Sequence, residues 1–239
     1  MLPVLEGIIA RRILINFRAA PSIVSGLIPP SLEVITLRGS AVIGVCLIRL
    51  EQLRVKGFPE LVGISSENMA HRIAVRFPEK GQMREGVFIW RRDTDQKLIS
   101  LLGGRLFPGV HQSARFEVFE TPGALRMQVE TKDHAADVDL QAQFGTSWKS
   151  TPLFPTFDAA VDFFRKGDCG YSCSLYRGQL EGMRLQTLKW GMEPITVPRV
   201  KASFYRKLPG SLDHGIEFDC ALAMRGIPHE WHEMSNIQS

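Results

Sequence analysis

The sequence predicts a mainly β fold of the α+β class, and three observations support this prediction. Most segments alternate apolar and polar residues with a period of two, which is typical of strands with one buried face. Glycine and proline account for 35 of the 239 residues, which indicates many turns between short elements. Hydrophobic residues make up 44% of the chain, enough for one large core. We therefore expect a single domain.

The first third of the chain contains four predicted strands and one short helix. In Ile13–Arg18 the side chains of one face are all apolar, as in a strand that covers a core. Pro21–Ile28 is a helical segment that ends before two prolines. The β-branched runs Glu33–Arg38 and Ala41–Leu50 predict a hairpin, and Glu67–Phe77 alternates again.

The middle of the chain contains the clearest hairpin. Gly86–Arg92 predicts a strand, and Asp93–Leu102 predicts a short helix that two glycines close. Ser113–Glu120 and Ala124–Thr131 flank a Thr-Pro-Gly turn, and the second of these runs alternates strictly between apolar and polar residues. A hairpin is therefore predicted here.

The last part of the chain predicts a capped helix among further strands. Thr156 is a candidate N-cap for a helix over Phe157–Lys166. Strands are predicted at Val138–Phe144, Tyr171–Leu188, Ile195–Tyr205 and Ile216–Met224. We expect residues 1–226 to form one antiparallel β-barrel domain with a few short outer helices. Residues 227–239 are expected to form a loose, polar C-terminal tail.

Charge and cysteine content exclude several classes of protein. The net charge is only +4, and the basic residues occur as scattered pairs such as Arg11-Arg12 and Arg91-Arg92, not as the basic stripe of a nucleic-acid binder. The longest apolar run, Ala41–Ile48, is too short to span a bilayer. Four cysteines are few for a secreted disulfide scaffold, and the amino terminus lacks the order of a signal peptide. We expect a cytoplasmic protein that binds neither nucleic acid nor membrane.

No motif predicts a metal or a cofactor. Cys169 and Cys173 have no second pair to complete a zinc site, and on one strand they would lie too far apart for a disulfide. His229 and His232 do not have the His-Glu-x-x-His spacing of a metalloprotease. Nucleophile-elbow, phosphate-loop and dinucleotide-binding motifs are also missing from the sequence.

Three segments place charged or amide groups at strand ends or in tight loops, where they could face a cavity. They are Asn16–Arg18, Ser66–Arg72 and Gly103–His111. The alternative is that Arg18, Glu67 and Arg72 form surface ion pairs of little energetic weight. The residue pattern alone leaves both interpretations open.

Several segments of the chain form a recognisable series by their order and spacing. They are Asn16–Arg18, Leu27–Glu33, Phe58–Glu60, Glu67-Asn68 with Arg72, Gly86–Trp90, Gly104–Gly109, Phe157–Lys166, Tyr171, Leu175–Gly178 and Trp190. Together they resemble the YqjF-like family, known as domain of unknown function 2071. This family is similar in fold to acetoacetate decarboxylase, whose β-barrel holds a lysine that forms a Schiff base with a β-keto acid beside an arginine and glutamates. The resemblance therefore implies an acetoacetate decarboxylase-like barrel over most of the chain.

The resemblance also implies site residues and one departure from the decarboxylase. Arg18 would be the pocket arginine, and Gly104-Arg105 would open the catalytic segment. No lysine follows in 106–111, and no Lys-Lys pair occurs anywhere in the chain. A Schiff base needs a primary amine, which imidazole cannot replace. Lysine-dependent decarboxylation is therefore not expected unless Lys189 or Lys201 projects into the barrel from another strand.

Two functional hypotheses follow, beside a third interpretation in which these residues are purely structural. In the first, the protein is an enzyme acting on a small keto acid: Glu67 and His111 act as acid or base, and arginines and an amide hold the carboxylate. The ligand-binding candidates are Arg18, Asn68, Arg72 and Arg105. In the second, the same groups bind a small carboxylate without catalysis. The superfamily resemblance further implies a homo-oligomer, which we expect to be a dimer.

Overall fold

The computed structural model describes residues 2–96, 109–176, 178–208 and 215–239. Strands dominate this part of the chain, and the predicted mainly β class is confirmed. The strands are β1 (Leu5–Ala19), β2 (Glu33–Val34), β3 (Thr36–Leu37), β4 (Ser40–Val55), β5 (Ile64–Glu79), β6 (Gln82–Thr94), β7 (His111–Glu120), β8 (Ala124–Thr131), β9 (Val138–Gln143), β10 (Cys169–Cys173), β11 (Gln179–Thr187), β12 (Glu193–Pro194), β13 (Thr196–Ala202) and β14 (Ile216–Gln238).

Among the described residues, helices are few and short. They are α1 (Pro21–Ser25), α2 (Phe157–Lys166), α3 (Ser203–Arg206) and a 3₁₀ turn at Glu60–Val62. The predicted cap of α2 is confirmed, because the Thr156 hydroxyl accepts a hydrogen bond from the Ala159 amide at 3.2 Å. Part of the strand predicted at Ile195–Tyr205 is helical, since α3 begins at Ser203.

Seven strands pair in a closed ring. Going round it, β1 pairs with β4, β4 with β5, β5 with β6, β6 with β10, β10 with β11, β11 with β14, and β14 again with β1. A second sheet of β7, β8, β9 and β13 extends from β6. The expectation of a purely antiparallel barrel needs correction, because β6 pairs in parallel with both β7 and β10.

The two faces of the ring strands bury different cores. On β1, Ile13 and Ile15 pack into a core that includes the inward face of β8 and β9. Leu14 belongs to a second core, which also contains Leu222 of β14 and Phe164 of α2. Because successive side chains of a strand point to opposite faces, neighbouring residues of β1 contribute to different cores.

The expected loose C-terminal tail is wrong. β14 continues to Gln238. Its residues from His229 to Gln238 pair with β11, and β1 pairs with this polar segment as far as Trp231, which lies opposite Leu5. These backbone hydrogen bonds keep the segment extended without an apolar sequence.

The helix predicted over Asp93–Leu102 begins where the structure has a strand. Asp93 and Thr94 are the last residues of β6, where they pair with Met69 and Asn68 of β5. Residues 97–102 lie outside the described residues, as does the rest of the segment up to 108.

Candidate functional site

A cavity of about 120 Å³ lies inside the ring, since its walls come from β1, β4, β5, β6, β7, β11 and β14. This volume is several times the roughly 10–15 Å³ that one water molecule needs. Most of the wall is apolar, with Ile48, Val87, Ile89 and Met183 among the lining side chains. The polar groups that line it are Arg12, Cys46, Asn68, Arg72, Arg92, Asp93, His111 and the indole of Trp231.

Arg72 is the most buried cation of this cavity, with 7% of its surface exposed. Its Nη2 donates a short hydrogen bond to Oδ1 of Asn16, and its Nε has no hydrogen-bond partner. The guanidinium carbon lies 5.0 Å from the ring centre of Phe164, so α2 covers this end of the site. Burial lowers the pKa of Arg72 to about 10, which still leaves it charged at neutral pH.

Arg12 and Arg92 also line the cavity without a carboxylate partner among the described residues. Arg92 donates to the hydroxyl of Ser172 from Nε at 3.2 Å and from Nη2 at 2.9 Å. Burial lowers the pKa of Arg92 to about 10. Arg12 donates to two sulfur atoms, Cys46 Sγ at 3.4 Å and Met224 Sδ at 3.8 Å, which are weak acceptors.

Strand alternation explains how these cations reach the cavity. Arg11 and Arg12 are neighbours on β1, so they point to opposite faces. Arg11 is paired with Glu67 and Glu120 at 2.6 Å each, whereas Arg12 faces the cavity.

The basic pair on β6 divides in the same way. Arg91 is bound to Asp93 at 2.8 Å and to Asp133 at 2.7 Å, whereas Arg92 lines the cavity. In the sequence, both basic pairs are apparent only as scattered charge. The alternation of the strands around them was the signal that could have singled out Arg12 and Arg92.

Gly44 of β4 makes room for one polar contact of the site. In the strand register, Asn16, Gly44 and Arg72 lie side by side on β1, β4 and β5. A Cβ at Gly44 would overlap the carbonyl oxygen of Ile15 and lie 3.2 Å from Oδ1 of Asn16. The glycine therefore allows Asn16 and Arg72 to meet across it.

Three of the predicted site residues line this cavity: Asn68, Arg72 and His111. Asn68 donates from Nδ2 to the Ser66 hydroxyl at 2.8 Å. His111 begins β7 opposite Arg92 of β6. Burial, with a smaller contribution from the Arg92 charge, lowers the pKa of His111 to about 3, so its imidazole is neutral at physiological pH.

The family model of DUF2071, described as an uncharacterized conserved protein, matches residues 9–202, which include every cavity element except β14. The protein belongs to the DUF2071 family. This confirms the family resemblance read from the sequence. None of the curated proteins matches the chain in sequence.

Solved structures show that this DUF2071 protein has the acetoacetate decarboxylase-like fold. Acetoacetate decarboxylase from Legionella pneumophila matches with a TM-score of 0.65 at 14% identity, over 98% of this chain and 88% of the other. An acetoacetate decarboxylase-like enzyme from Sphingomonas wittichii matches with a TM-score of 0.60 at 11% identity, over 100% and 92%. The enduracididine biosynthesis enzyme MppR complexed with pyruvate matches with a TM-score of 0.56 at 10% identity, over 99% and 90%. Likeness at these identities establishes the fold alone.

Two other predicted site residues of the DUF2071 protein, Arg18 and Glu67, lie away from the cavity. Arg18, near the end of β1, forms a short ion pair with Glu217 and does not line the cavity. Glu67 points to the opposite face of β5, where it binds Arg11. Burial raises the pKa of Glu67, and the Arg11 charge opposes this shift. Arg105 lies outside the described residues.

The described lysines of the DUF2071 protein lie away from the cavity. The chain has nine lysines, and the eight outside 97–108 are all exposed. Lys189 and Lys201, which could have entered the barrel from other strands, are among them. Lys97 lies outside the described residues.

In residues 2–96, 109–176, 178–208 and 215–239, no group of three His, Cys, Asp or Glu side chains is arranged to hold a metal ion. No helix in the described part of the chain has the length and apolar character needed to cross a membrane.

Proposed function

We propose that this protein binds a small keto acid in the cavity inside the ring, without a Schiff-base lysine. One observation carries the proposal: guanidinium groups line an apolar cavity and have no carboxylate partner among the described residues. Leaving charged groups out of water without a counter-ion is costly, so such a site favours an anionic ligand. The fold neighbour MppR has been solved with pyruvate, which supports the same ligand class.

The arginines of the site take the binding role in this proposal. Within the described part of the chain, the Nε of Arg72 has no hydrogen-bond partner, and Arg92 donates only to the Ser172 hydroxyl. Both guanidinium groups can therefore donate further hydrogen bonds to a carboxylate. Asn68, at the other end of the same wall, supplies an amide for the rest of the ligand. Glu67 and Arg18 are not included, because their carboxylate and guanidinium groups are bound to other residues.

Titration calorimetry with pyruvate tests the binding role. Replacing Arg72 or Arg92 with Gln is expected to weaken binding by about ten-fold or more, the effect of losing one charge-assisted hydrogen bond. Arg126→Gln is the matched control, because Arg126 is exposed on β8, far from the cavity wall. Wild-type protein that binds no keto acid, or arginine variants that bind as well as the control, would overturn the proposal.

The absence of Schiff-base chemistry has its own test. Treatment with acetoacetate and borohydride is expected to leave the mass of the protein unchanged, because reduction traps only an imine formed at an amine in contact with the substrate. The exposed positions of the eight described lysines support this expectation. Peptide mapping that finds a reduced adduct on any lysine, Lys97 included, would contradict it.

Binding without catalysis is the second candidate function. His111 is the proposed acid or base, yet burial lowers its pKa to about 3, and general bases work best with a pKa near the working pH. That observation favours a ligand-binding protein. The two functions differ in turnover. The enzyme is supported if the wild-type protein forms a product from a bound keto acid and His111→Asn abolishes this reaction but retains binding.

A further inference from the structure

The cavity has more positive charge than one carboxylate can offset. Arg12, Arg72 and Arg92 all line it. Among the described residues, two acids are close enough to act on these arginines, Asp93 on the cavity wall and Glu181 through its charge on Arg92, but both are hydrogen-bonded to other groups. Asp93 accepts hydrogen bonds from Nε and Nη2 of Arg91 at 2.8–3.0 Å. Glu181 accepts from the Gly109 amide at 2.9 Å and from the Ser174 hydroxyl at 2.6 Å. A ligand with one acidic group at Arg72 and Arg92 would leave Arg12 without an acidic partner.

The strand register spreads these cations along the cavity. Arg12 of β1 lies level with Ile48 of β4 and Asn68 of β5. Arg72 is four residues farther along β5, which corresponds to about 13 Å of strand. Arg92 lies opposite Ala70, between these two levels. The backbone thus anchors Arg12 at one end of the wall and Arg72 at the other.

Arg12 is also the cation with the weakest partners. Its hydrogen bonds end on a thiol and a thioether, both poor acceptors for a guanidinium. Carboxylates are much stronger partners, because they form short, charge-assisted and bidentate bonds with arginine. An acid group of the ligand would therefore gain more from Arg12 than the sulfur atoms do.

We infer that the ligand is a short dicarboxylic acid, with one carboxylate at Arg72 and Arg92 and the second at Arg12. This inference rests on the proposed function and adds the second acidic group to it. The volume of about 120 Å³ accommodates a small acid of this kind. The apolar residues Ile48, Ile89 and Met183 would surround the carbon chain between the two acid groups.

The test compares two acids of equal chain length by titration calorimetry: 2-oxoglutarate, with two carboxylates, and 2-oxopentanoate, with one. Wild-type protein is expected to bind 2-oxoglutarate about ten-fold more tightly or better. Arg12→Gln should remove this difference, and Arg126→Gln should retain it. Arg12→Lys, which keeps the charge, should retain part of the difference and serves if Arg12→Gln does not fold.

The outcomes separate this inference from the proposed function. Equal affinity of wild-type protein for the two acids would overturn the dicarboxylate inference and leave the proposed function standing. A preference for 2-oxoglutarate that survives in Arg12→Gln would overturn the role of Arg12. Failure of both acids to bind would reject the proposed function together with this inference. Tighter binding of inorganic phosphate than of 2-oxoglutarate would overturn the dicarboxylate inference and would indicate a ligand with a phosphate group.

Discussion

Gly44 is the residue on which the geometry of Arg72 depends. A methyl group at this position would collide with the backbone of Ile15, which cannot move without disturbing β1. We expect Gly44→Ala to lower the free energy of unfolding by about 1–3 kcal/mol, the usual cost of overpacking. It should also weaken keto-acid binding, because Asn16 and Arg72 can no longer meet across the glycine.

Chemical denaturation measures this effect, with Gly26→Ala as the matched control. Gly26 has an ordinary negative φ of −76°, and no atom lies within 4 Å of the position that its Cβ would take. Its replacement should leave stability unchanged or raise it slightly. Equal stability of the Gly44 and Gly26 variants would show that the wall of the cavity adjusts freely.

At the level of residues, the sequence could identify some of the cavity lining and offered ion pairs as the alternative for Arg18 and Glu67, but it could not name their partners. Asn68 and Arg72 alternate with the apolar residues of β5, and the pattern therefore placed them on one face together. Glu67 is next to Asn68 in sequence but belongs to the other face, where Arg11 neutralises it. Which face of β5 lies inside the ring depends on the strands that pair with it, and these pairings cannot be seen in the sequence.

At the level of elements, local patterns predicted the strands and the capped helix because both depend on neighbours in sequence. Thr156 and the apolar stripe of α2 are signals of this kind. The end of β14 was missed because its extension depends on distant partners, β1 and β11. Its polar residues carry no alternation that would distinguish a strand from a loose tail.

At the level of the whole molecule, the ring closes through contacts between the two ends of the chain. Leu5 of β1 pairs with Trp231 of β14, and β6 pairs in parallel with β10 across a long connection. No local pattern encodes such pairings. The alternating strands and the family resemblance both predicted a barrel, but neither gave these pairings, and the cavity exists because the ring closes.

The closed ring also makes the molecule sensitive to mild acid, because it buries histidines. Burial lowers the pKa of His71 to about 3 and that of His229 to about 4. Below the ordinary pKa of about 6.5, the unfolded chain binds protons at these positions while the folded protein does not. The contribution of each histidine to the free energy of unfolding is therefore expected to fall by about 2 kcal/mol as the pH decreases from 7 to 5.

The variant His71→Phe isolates the contribution of His71 to the pH dependence of stability. The free energy of unfolding is measured by chemical denaturation of both proteins at pH 7 and at pH 5. The His71 ring packs 4.4 Å from Phe204 and 5.4 Å from Tyr205, and neither of its nitrogens has a hydrogen-bond partner, so phenylalanine suits the site. The variant should lose about 2 kcal/mol less than the wild type between the two pH values. Buried carboxyls such as Asp93, whose pKa is raised, act in the opposite sense, but they are common to both proteins and cancel in the difference. An identical loss in the two proteins would mean that His71 takes up its proton in the folded state.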